Sequence, residues 1–159
     1  MTEELSRQIS RPLGQIPSGC FVVTARHQGR STGMLASWVQ QAGFEPPAVT
    51  VAVKKGRPIQ ELIEASGHFV LNLVPEDRGP MFQQFGKGCR PDENAFEGLL
   101  IREEPEGIAI ETCAGYLGCR VMTHADSGDH RIYVGEVISG TSQGDVQPYV
   151  HVRSSGLNY

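Results

Sequence analysis

Short apolar runs recur along the chain, separated by glycines and prolines, and most of them have the length of a β-strand. They are rich in β-branched residues or alternate large and small side chains, the pattern of strands with a buried face. The predicted strands are Gly19–Ala25, Ser31–Gln40, Ala48–Val53, Phe69–Val74, Tyr116–Met122 and His130–Ile138. A turn at Gln28-Gly29 joins the first two in a hairpin, and Gly135 marks a bulge in the last.

Helical periodicity is confined to two short segments. In Pro58–Ala65 the apolar residues recur at helical spacing, and Gly67 closes the segment. The second predicted helix is Gly79–Phe85. The rest is predicted as an approach segment over Met1–Ser18 with one helical turn before Pro12, a loop over Gly86–Gly98, a weakly patterned stretch over Leu99–Thr112 and a turn over Ala125–Asp129.

These elements predict a mainly β protein. Several strands with only two short helices favour an antiparallel Greek-key barrel over a doubly wound parallel sheet. The chain has 19 glycines and 10 prolines in 159 residues, which suits a fold with many turns. Closing the barrel removes the exposed edges of such short strands. The length predicts a single domain over residues 1–159.

Charge and hydropathy exclude several classes of function. The formal net charge is −4 and the pI is near 5.7, which argues against nucleic-acid binding. No apolar run approaches the length of a membrane span. The segment Met1–Gly19 carries charges and prolines where a signal peptide needs an apolar stretch. We therefore expect a cytoplasmic protein that binds neither nucleic acid nor membrane.

The cysteines and histidines form no recognisable metal motif. Cys20, Cys89, Cys113 and Cys119 contain no C-x-x-C pair, so we expect neither a zinc motif nor a disulfide framework. Cys20 and Cys119 lie within apolar segments and are predicted to be buried small hydrophobes. The five histidines are scattered along the chain. We predict no metal site.

The segment Ser31–Trp38 carries unusually small side chains. Because Gly33, Ala36 and Ser37 are small, a planar molecule could approach their backbone N–H and C=O groups closely. The alternative is purely structural, namely a tightly packed hairpin in which Gly33 and Ala36 relieve crowding.

A cationic turn, Lys54–Arg57, follows the third predicted strand. It holds Lys54, Lys55 and Arg57, and Pro58 after it suits the first turn of a helix. Cations beside a helix N-terminus suit a phosphate group, whereas the alternative is a solvated surface turn. Together with the small side chains one strand earlier, the turn predicts a phosphorylated aromatic cofactor.

His130 is the third candidate. It follows Gly128-Asp129 at the start of the last predicted strand, and an imidazole at the lip of a pocket can stack, donate a hydrogen bond or change charge near neutral pH. Spacing alone favours the alternative, an ordinary strand residue after a hairpin turn. Gly86-Lys87-Gly88 lacks the spacing of a phosphate loop and is rejected as one.

These stretches, taken in order, resemble the flavin reductase-like family, the FMN-binding split barrels. The closest likeness is to the flavin reductase module at the C-terminal end of cyanobacterial flavodiiron proteins. The matching segments span nearly the whole chain, and their combined order is more specific than any one of them. They are Cys20–Ala25, Met34–Val39, Phe44–Pro47, Phe69–Asn72, Phe96–Gly98, Gly128–His130 and Ser155–Tyr159.

The resemblance implies a homodimer of split barrels that holds a flavin, FMN with FAD as the alternative, near the dimer interface. It places the ring along Met34–Ser37, the phosphate near the cationic turn, and Gly128–His130 close to the ring and the nicotinamide. Many relatives carry Ser or Thr where this chain has Lys55-Gly56. The implied cofactor-binding residues are Gly33, Met34, Leu35, Ala36, Ser37, Val53, Lys54, Lys55, Arg57, Phe85 and Asp129, with His130 as the catalytic residue.

The leading hypothesis is an NAD(P)H:flavin oxidoreductase. It takes hydride from NADH or NADPH and passes electrons to free flavin or to an acceptor protein, and the flavin carries the chemistry. The diiron and flavodoxin-like domains of flavodiiron proteins do not fit in 159 residues. We therefore expect only the flavin reductase module, through which electrons enter. The alternatives are a flavin-binding electron carrier with no NAD(P)H site and an FMN-dependent oxidase of the pyridoxamine-phosphate oxidase type.

Overall fold

The structure, a computed structural model, describes residues 1–77, 80–155 and 157. The helices along these residues are α1 (Glu3–Gly14), α2 (Ile59–Ser66) and α3 (Met81–Phe85). The strands are β1 (Ser18–Gly19), β2 (Phe21–His27), β3 (Arg30–Ala36), β4 (Val39–Phe44), β5 (Pro47–Lys54), β6 (His68–Leu73), β7 (Ile101–Glu104), β8 (Gly107–Ile110), β9 (Gly115–Ser127), β10 (His130–Ser142) and β11 (Val150–His151).

Seven strands form one antiparallel sheet in the order β3-β2-β6-β9-β10-β5-β4. Its two outermost strands, β3 and β4, are consecutive in the chain and are joined through Ser37 and Trp38. The Ala52 amide donates to the Trp38 carbonyl at 3.0 Å, so the chain leaves β2 and continues against β5. The predicted mainly β, antiparallel barrel is confirmed.

Two apolar clusters lie on opposite sides of this sheet. The first core fills the barrel with valines of β2 and β5 and is closed by Ile59, Leu62 and Ile63 of α2. The second core lies outside, where α3 and β8 cover β2 and β3, and it contains Val22 and Phe85. The apolar face whose spacing predicted α2 is therefore the face that covers one end of the barrel.

Buried polar side chains attach the β7–β8 hairpin to the sheet. The Asn72 amide of β6 donates to the carbonyls of Val22 and Ile108 at 3.1 Å each, and its oxygen accepts from the Ile110 amide at 2.7 Å. Thr24 adds a hydroxyl hydrogen bond to the Ile108 carbonyl at 2.7 Å. These bonds join the backbone of β8 to β2 and β6, and they give the buried side chains of Asn72 and Thr24 the partners that buried polar groups need.

Several sequence predictions are confirmed. Gln28 and Gly29 form the β2–β3 turn with φ of 48° and 78°, as a type I′ hairpin turn requires. Gly67 ends α2 at φ 72°, and the β9–β10 register shifts between Val134 and Gly135. Cys20 and Cys119 are buried, and burial raises the pKa of Cys119 to about 12, so its thiol stays protonated.

Other predictions give helices and strands the wrong bounds. The N-terminal segment is a twelve-residue helix, which Thr2 caps through the Leu5 amide at 3.3 Å and which tolerates Pro12 near its end. The single strand predicted over Ser31–Gln40 is two strands, because the chain changes partner at the barrel corner. Leu99–Thr112 contains the β7–β8 hairpin.

The β9–β10 hairpin and α3 also differ from expectation. The β9 ladder continues to Ser127, so the turn is Gly128-Asp129 alone and Ala125–Ser127 belong to the strand. The glycine at φ 59° permits this tight turn. The second helix is Met81–Phe85, and its predicted start, Gly79, lies outside the described residues. Along the described chain, no helix combines the length and apolarity that crossing a membrane requires.

Candidate functional site

A gap in the barrel separates β3 from β5. The ladder of β3 runs only along β2, while β5 pairs with β10 and β4. The two strands lie close to each other, but among the described residues no strand pairs with the second edge of β3. Gly33, Met34 and Ala36 are buried, whereas Leu35 and Ser37 are half-buried, so this edge can offer backbone N–H and C=O groups to a ligand that enters the gap.

The side chains of β3 are used in packing. Met34 and Ala36 belong to the first core, and Leu35 packs against the second. A Cβ on Gly33 would lie 2.8 Å from a ring carbon of Phe85, so this glycine makes room for a buried aromatic ring. The alternative in which Gly33 relieves crowding is therefore supported. Because the side chains of β3 are packed against the cores, the part of β3 that remains for a ligand is its backbone edge.

Two predicted cofactor-binding residues are fully buried. Phe85 is 0% exposed within the second core, with its ring centroid 5.8 Å from that of Phe96. Val53 is also 0% exposed and lies in the first core. The structure gives both side chains protein neighbours, so neither lies on the surface of the gap.

The cationic turn links β5 to α2. The Arg57 amide donates to the Lys54 carbonyl at 3.2 Å, and Gly56 has φ 83°, as the third position of a type II turn requires. The Gly56 amide donates to Gln60 Oε1 at 2.7 Å. The turn is thus rigid, and this amide is already used within the protein.

The three cations of the turn point to different neighbours. Lys54 is exposed and pairs with His130 across the β5–β10 ladder, so the two side chains share one face. Arg57 Nη1 donates to the Lys87 carbonyl at 2.9 Å, which holds the loop after α3 beside the gap. A guanidinium carries five N–H donors, so Arg57 can still bind an anion.

Lys55 is occupied elsewhere. Its ammonium lies 3.1 Å from Asp126 Oδ2 and donates to the Gly128 carbonyl at 2.9 Å. Hydrogen bonds from Arg131 and then from Lys55 lower the pKa of Asp126 to about 2. Of the three predicted phosphate cations, Lys55 is therefore the one that the structure pairs with the β9–β10 hairpin.

His130 is 6% exposed at the start of β10. Its Nδ1 is 2.8 Å from Asp129 Oδ1, and this hydrogen bond is the main reason why the pKa of Asp129 is lowered. The imidazole centroid lies 4.6 Å from a ring centroid of Trp38. The guanidinium of Arg153 lies 5.1 Å from a Trp38 ring centroid, a cation–π distance.

A groove of about 470 Å³ adjoins this cluster. Its walls include Ser37, Trp38, Ala52, Ile132 and Arg153, and the end of α1 closes its far side. A second cavity, of about 440 Å³, lies at the other end of β5 beside Pro47 and Ala48. We assign the candidate site to the first groove and the gap beside it, because Trp38, which lines this groove, packs on His130.

The structure thus brings together part of the predicted site. The edge of β3, Lys54, Arg57 and His130 border one region, whereas Phe85 and Val53 face the cores. Sequence reasoning missed the roles of Trp38 and Arg153. Trp38 stood within a matching segment, but Arg153 had no local signal, because only folding carries the C-terminal segment back to Trp38. No cluster of three His, Cys, Asp or Glu side chains able to hold a metal occurs within the described ranges.

A family model described as the flavin reductase like domain matches residues 13–156. The chain belongs to this family. The predicted resemblance is therefore confirmed. Relatives in cyanobacteria support it: the chain is 33% identical over 160 residues to the putative diflavin flavoprotein A 3 of Nostoc sp. PCC 7120, covering 99% of this chain and 28% of that protein.

The same relationship recurs in a second cyanobacterium. The putative diflavin flavoprotein A 3 of Synechocystis sp. PCC 6803 is 35% identical over 161 residues, covering 100% of this chain and 27% of that protein. The chain thus spans little more than a quarter of the length of these relatives.

Solved structures share the fold of this flavin reductase-like chain. A homologue of nitrilotriacetate monooxygenase component B from Mycobacterium thermoresistibile superimposes with a TM-score of 0.83 at 25% identity, covering 96% of this chain and 86% of that one. The NADH:FAD oxidoreductase of Streptomyces globisporus C-1027, in complex with NAD and FAD fragments, gives 0.79 at 22% identity, covering 94% and 88%.

Proposed function

We propose that this chain is an NAD(P)H:flavin oxidoreductase that binds FMN, with FAD as the alternative, and takes electrons from NADH or NADPH. The observation that carries the proposal is the unpaired edge of β3, which faces a gap bordered by Lys54 and Arg57 in a member of the flavin reductase-like family. An isoalloxazine needs hydrogen-bonding groups along its edge, and a phosphate needs cations. The gap provides both.

The residues present fit a flavin. Backbone groups of Met34–Ser37 would hold the ring, and Lys54 and Arg57 would hold the phosphate. A bound flavin supplies the acceptor for hydride from the reduced nicotinamide. The protein supplies binding, orientation and shelter from water.

His130 positions the nicotinamide in this proposal. With its Nδ1 held by Asp129 at 2.8 Å and its ring packed on Trp38, the imidazole has little rotational freedom. A fixed ring loses less entropy when a second molecule stacks or hydrogen-bonds there.

The remaining parts of the proposal follow the family resemblance. The functional unit is a homodimer in the cytoplasm, residues 1–159 form one domain, and the electrons pass to free flavin or to an acceptor protein. The complex of the Streptomyces globisporus enzyme with NAD and FAD fragments supports the binding of both a flavin and a nicotinamide nucleotide. The cyanobacterial relatives, of which this chain spans little more than a quarter and which are named diflavin flavoproteins, support an acceptor protein.

The absorbance spectrum of the purified protein tests the activity. FMN is added, and NADH and then NADPH follow without oxygen. Bleaching of the flavin absorbance by either nucleotide is expected, and the faster one identifies the donor. A protein that binds flavin but is bleached by neither is an electron carrier, and bleaching by a small amine or alcohol instead would favour an oxidase.

A double variant tests the phosphate assignment. Lys54→Ala with Arg57→Ala removes two cations and should weaken FMN binding, measured by quenching of FMN fluorescence. Removal of charge-assisted hydrogen bonds predicts a loss of roughly tenfold or more in affinity. Arg7→Ala with Arg11→Ala on α1 makes the same change of charge away from the gap. Equal affinity in the two double variants would refute the assignment.

A further inference from the structure

Lys55 connects the two turns that border the candidate site. Its ammonium binds Asp126 at 3.1 Å and the Gly128 carbonyl at 2.9 Å. Its backbone amide donates to the Asp129 carbonyl at 2.9 Å. Three contacts from one residue therefore join the cationic turn to the short turn that precedes His130.

The acceptors of Lys55 are themselves held in place. Asp126 receives two hydrogen bonds from Arg131, at 2.7 and 3.3 Å. Arg131 also donates to Glu64 of α2 at 2.7 Å, and the buried Tyr133 hydroxyl donates to the same carboxylate oxygen at 3.0 Å. The network leads from the exposed ammonium of Lys55 through Asp126, Arg131 and Glu64 to the buried Tyr133 hydroxyl, so the ammonium bonds to a carboxylate that Arg131 also holds.

The geometry points to Lys55 as a positioning residue for His130, not a ligand of the flavin phosphate. This inference rests on the proposed function, in which His130 faces the nicotinamide. Gly128 and Asp129 form the whole connection between β9 and β10. Fixing the carbonyls of both residues fixes where β10 begins, and hence where the imidazole of His130 lies.

The neighbouring residues Lys54 and Lys55 therefore have different roles. Lys54 shares a face with His130 and is exposed, so it remains available to a ligand anion. Lys55 has its charge compensated by Asp126. A phosphate placed at Lys55 would have to compete with a carboxylate that is already bound there, which makes it the weaker anion site of the two.

Two lysine variants separate these roles. Lys55→Met should raise the KM for the reduced nicotinamide by about two- to tenfold, the range that loss of one hydrogen bond predicts, and should leave the FMN dissociation constant within about twofold. Lys54→Met, the matched control, should show the opposite pattern, with weaker FMN binding as the main effect. Lys55→Arg, which keeps charge-assisted donors, should restore most of the nicotinamide KM.

The single tryptophan of the chain provides a readout that needs no turnover. Because Trp38 packs on His130, a displaced imidazole should change the emission of Trp38 and increase its quenching by acrylamide in Lys55→Met. Asp126→Asn, which removes the same ion pair from its other side, should produce a change in the same direction. It also serves as the second variant if Lys55→Met folds poorly.

The outcomes distinguish this inference from the proposed function. Weaker FMN binding in Lys55→Met with an unchanged nicotinamide KM would overturn the inference and return Lys55 to the phosphate site. A wild-type protein that neither binds flavin nor oxidises nicotinamide would refute the proposed function, and Trp38 quenching would then decide. Quenching equal to wild type in both Lys55→Met and Asp126→Asn overturns the positioning role, and increased quenching supports it.

Discussion

The imidazole of His130 packs against the indole of Trp38, with centroids 4.6 Å apart and planes inclined by 43°. The two residues are far apart in sequence: Trp38 lies at the corner between β3 and β4, and His130 lies at the start of β10. Arg153 lies against the same indole at 5.1 Å. Side chains therefore join the corner at Trp38 to the start of β10. Both are also hydrogen-bonded or paired to β5, through Ala52 and Lys54 respectively.

We predict that His130→Asn lowers kcat/KM for the reduced nicotinamide more than it changes flavin affinity. Asparagine keeps a polar group but loses the ring that packs on Trp38. Loss of a hydrogen bond worth about 0.5–1.5 kcal/mol corresponds to about a two- to tenfold fall. Steady-state oxidation of NADH and NADPH, with FMN affinity measured separately, checks this.

His124→Asn is the matched control, because His124 is an exposed histidine of β9. It should leave both quantities near wild type. A His130→Asn variant that loses FMN affinity in proportion to kcat/KM would instead place His130 against the flavin alone.

Gly33→Ala should destabilise the protein. The added methyl group would lie 2.8 Å from Phe85, a ring that is 0% exposed and cannot move aside freely. Overpacking of this kind costs about 1–3 kcal/mol. The free energy of unfolding, from urea denaturation, measures the effect.

A second substitution separates packing from binding. Gly33→Ala should cost less in a Phe85→Leu background than in the wild type, because the smaller side chain leaves room for the methyl group. If Gly33→Ala keeps full stability and loses only flavin affinity, then close approach of a ligand, rather than Phe85, explains the glycine.

Much of the fold could be predicted from the chain alone, since β5, β6, β10 and α2 each carry a local pattern of apolar residues. The β7–β8 hairpin could not, because its attachment depends on Asn72 and Thr24, which are distant in sequence and hydrogen-bond to its backbone. Helix α1 was predicted too short for a different reason: Leu5, Ile9 and Leu13 recur at helical spacing, but Pro12 indicated an early end, whereas the helix continues to Gly14.

The candidate site, like the fold, could be predicted only in part from the sequence. The cationic turn was evident from composition, but which cation points where depends on contacts across the sheet. Lys55 and Asp126 are 71 positions apart in the numbering of the chain, and pairing of β5 with β10 and of β10 with β9 brings them together. Spacing along the sequence carries no information on such a contact.

Asn72→Leu should lower the free energy of unfolding by about 1–3 kcal/mol. Leucine fills similar space but leaves the Ile110 amide without the acceptor that now lies at 2.7 Å. The Ile108 carbonyl keeps its hydrogen bond from Thr24, so the cost falls mainly on one buried N–H group and on the Val22 carbonyl. Urea denaturation followed by circular dichroism measures it.

The exposed Asn94 provides the control for this substitution. Asn94→Leu should change stability less than Asn72→Leu, because the hydrogen bond that Asn94 accepts from the Phe96 amide is long, at 3.4 Å, and its side chain is exposed. Equal effects at the two positions would show that the hydrogen bonds of Asn72 contribute nothing to holding β8.

Asp126 should make part of the stability depend on pH in the acid range. Its carboxylate has a pKa of about 2 in the folded protein, lowered from 3.8 by Arg131 first and Lys55 second. A group whose pKa is lower when folded binds fewer protons in the native state, so its contribution is present above pH 3.8 and is lost as pH falls towards 2. The denaturation midpoint of the wild type should therefore drop more steeply across this interval than that of Asp126→Asn. The control, Asp145→Asn at an exposed loop position, should keep the wild-type slope of the denaturation midpoint against pH. If Asp126→Asn also keeps that slope, the ion pairs of Asp126 do not stabilise the fold.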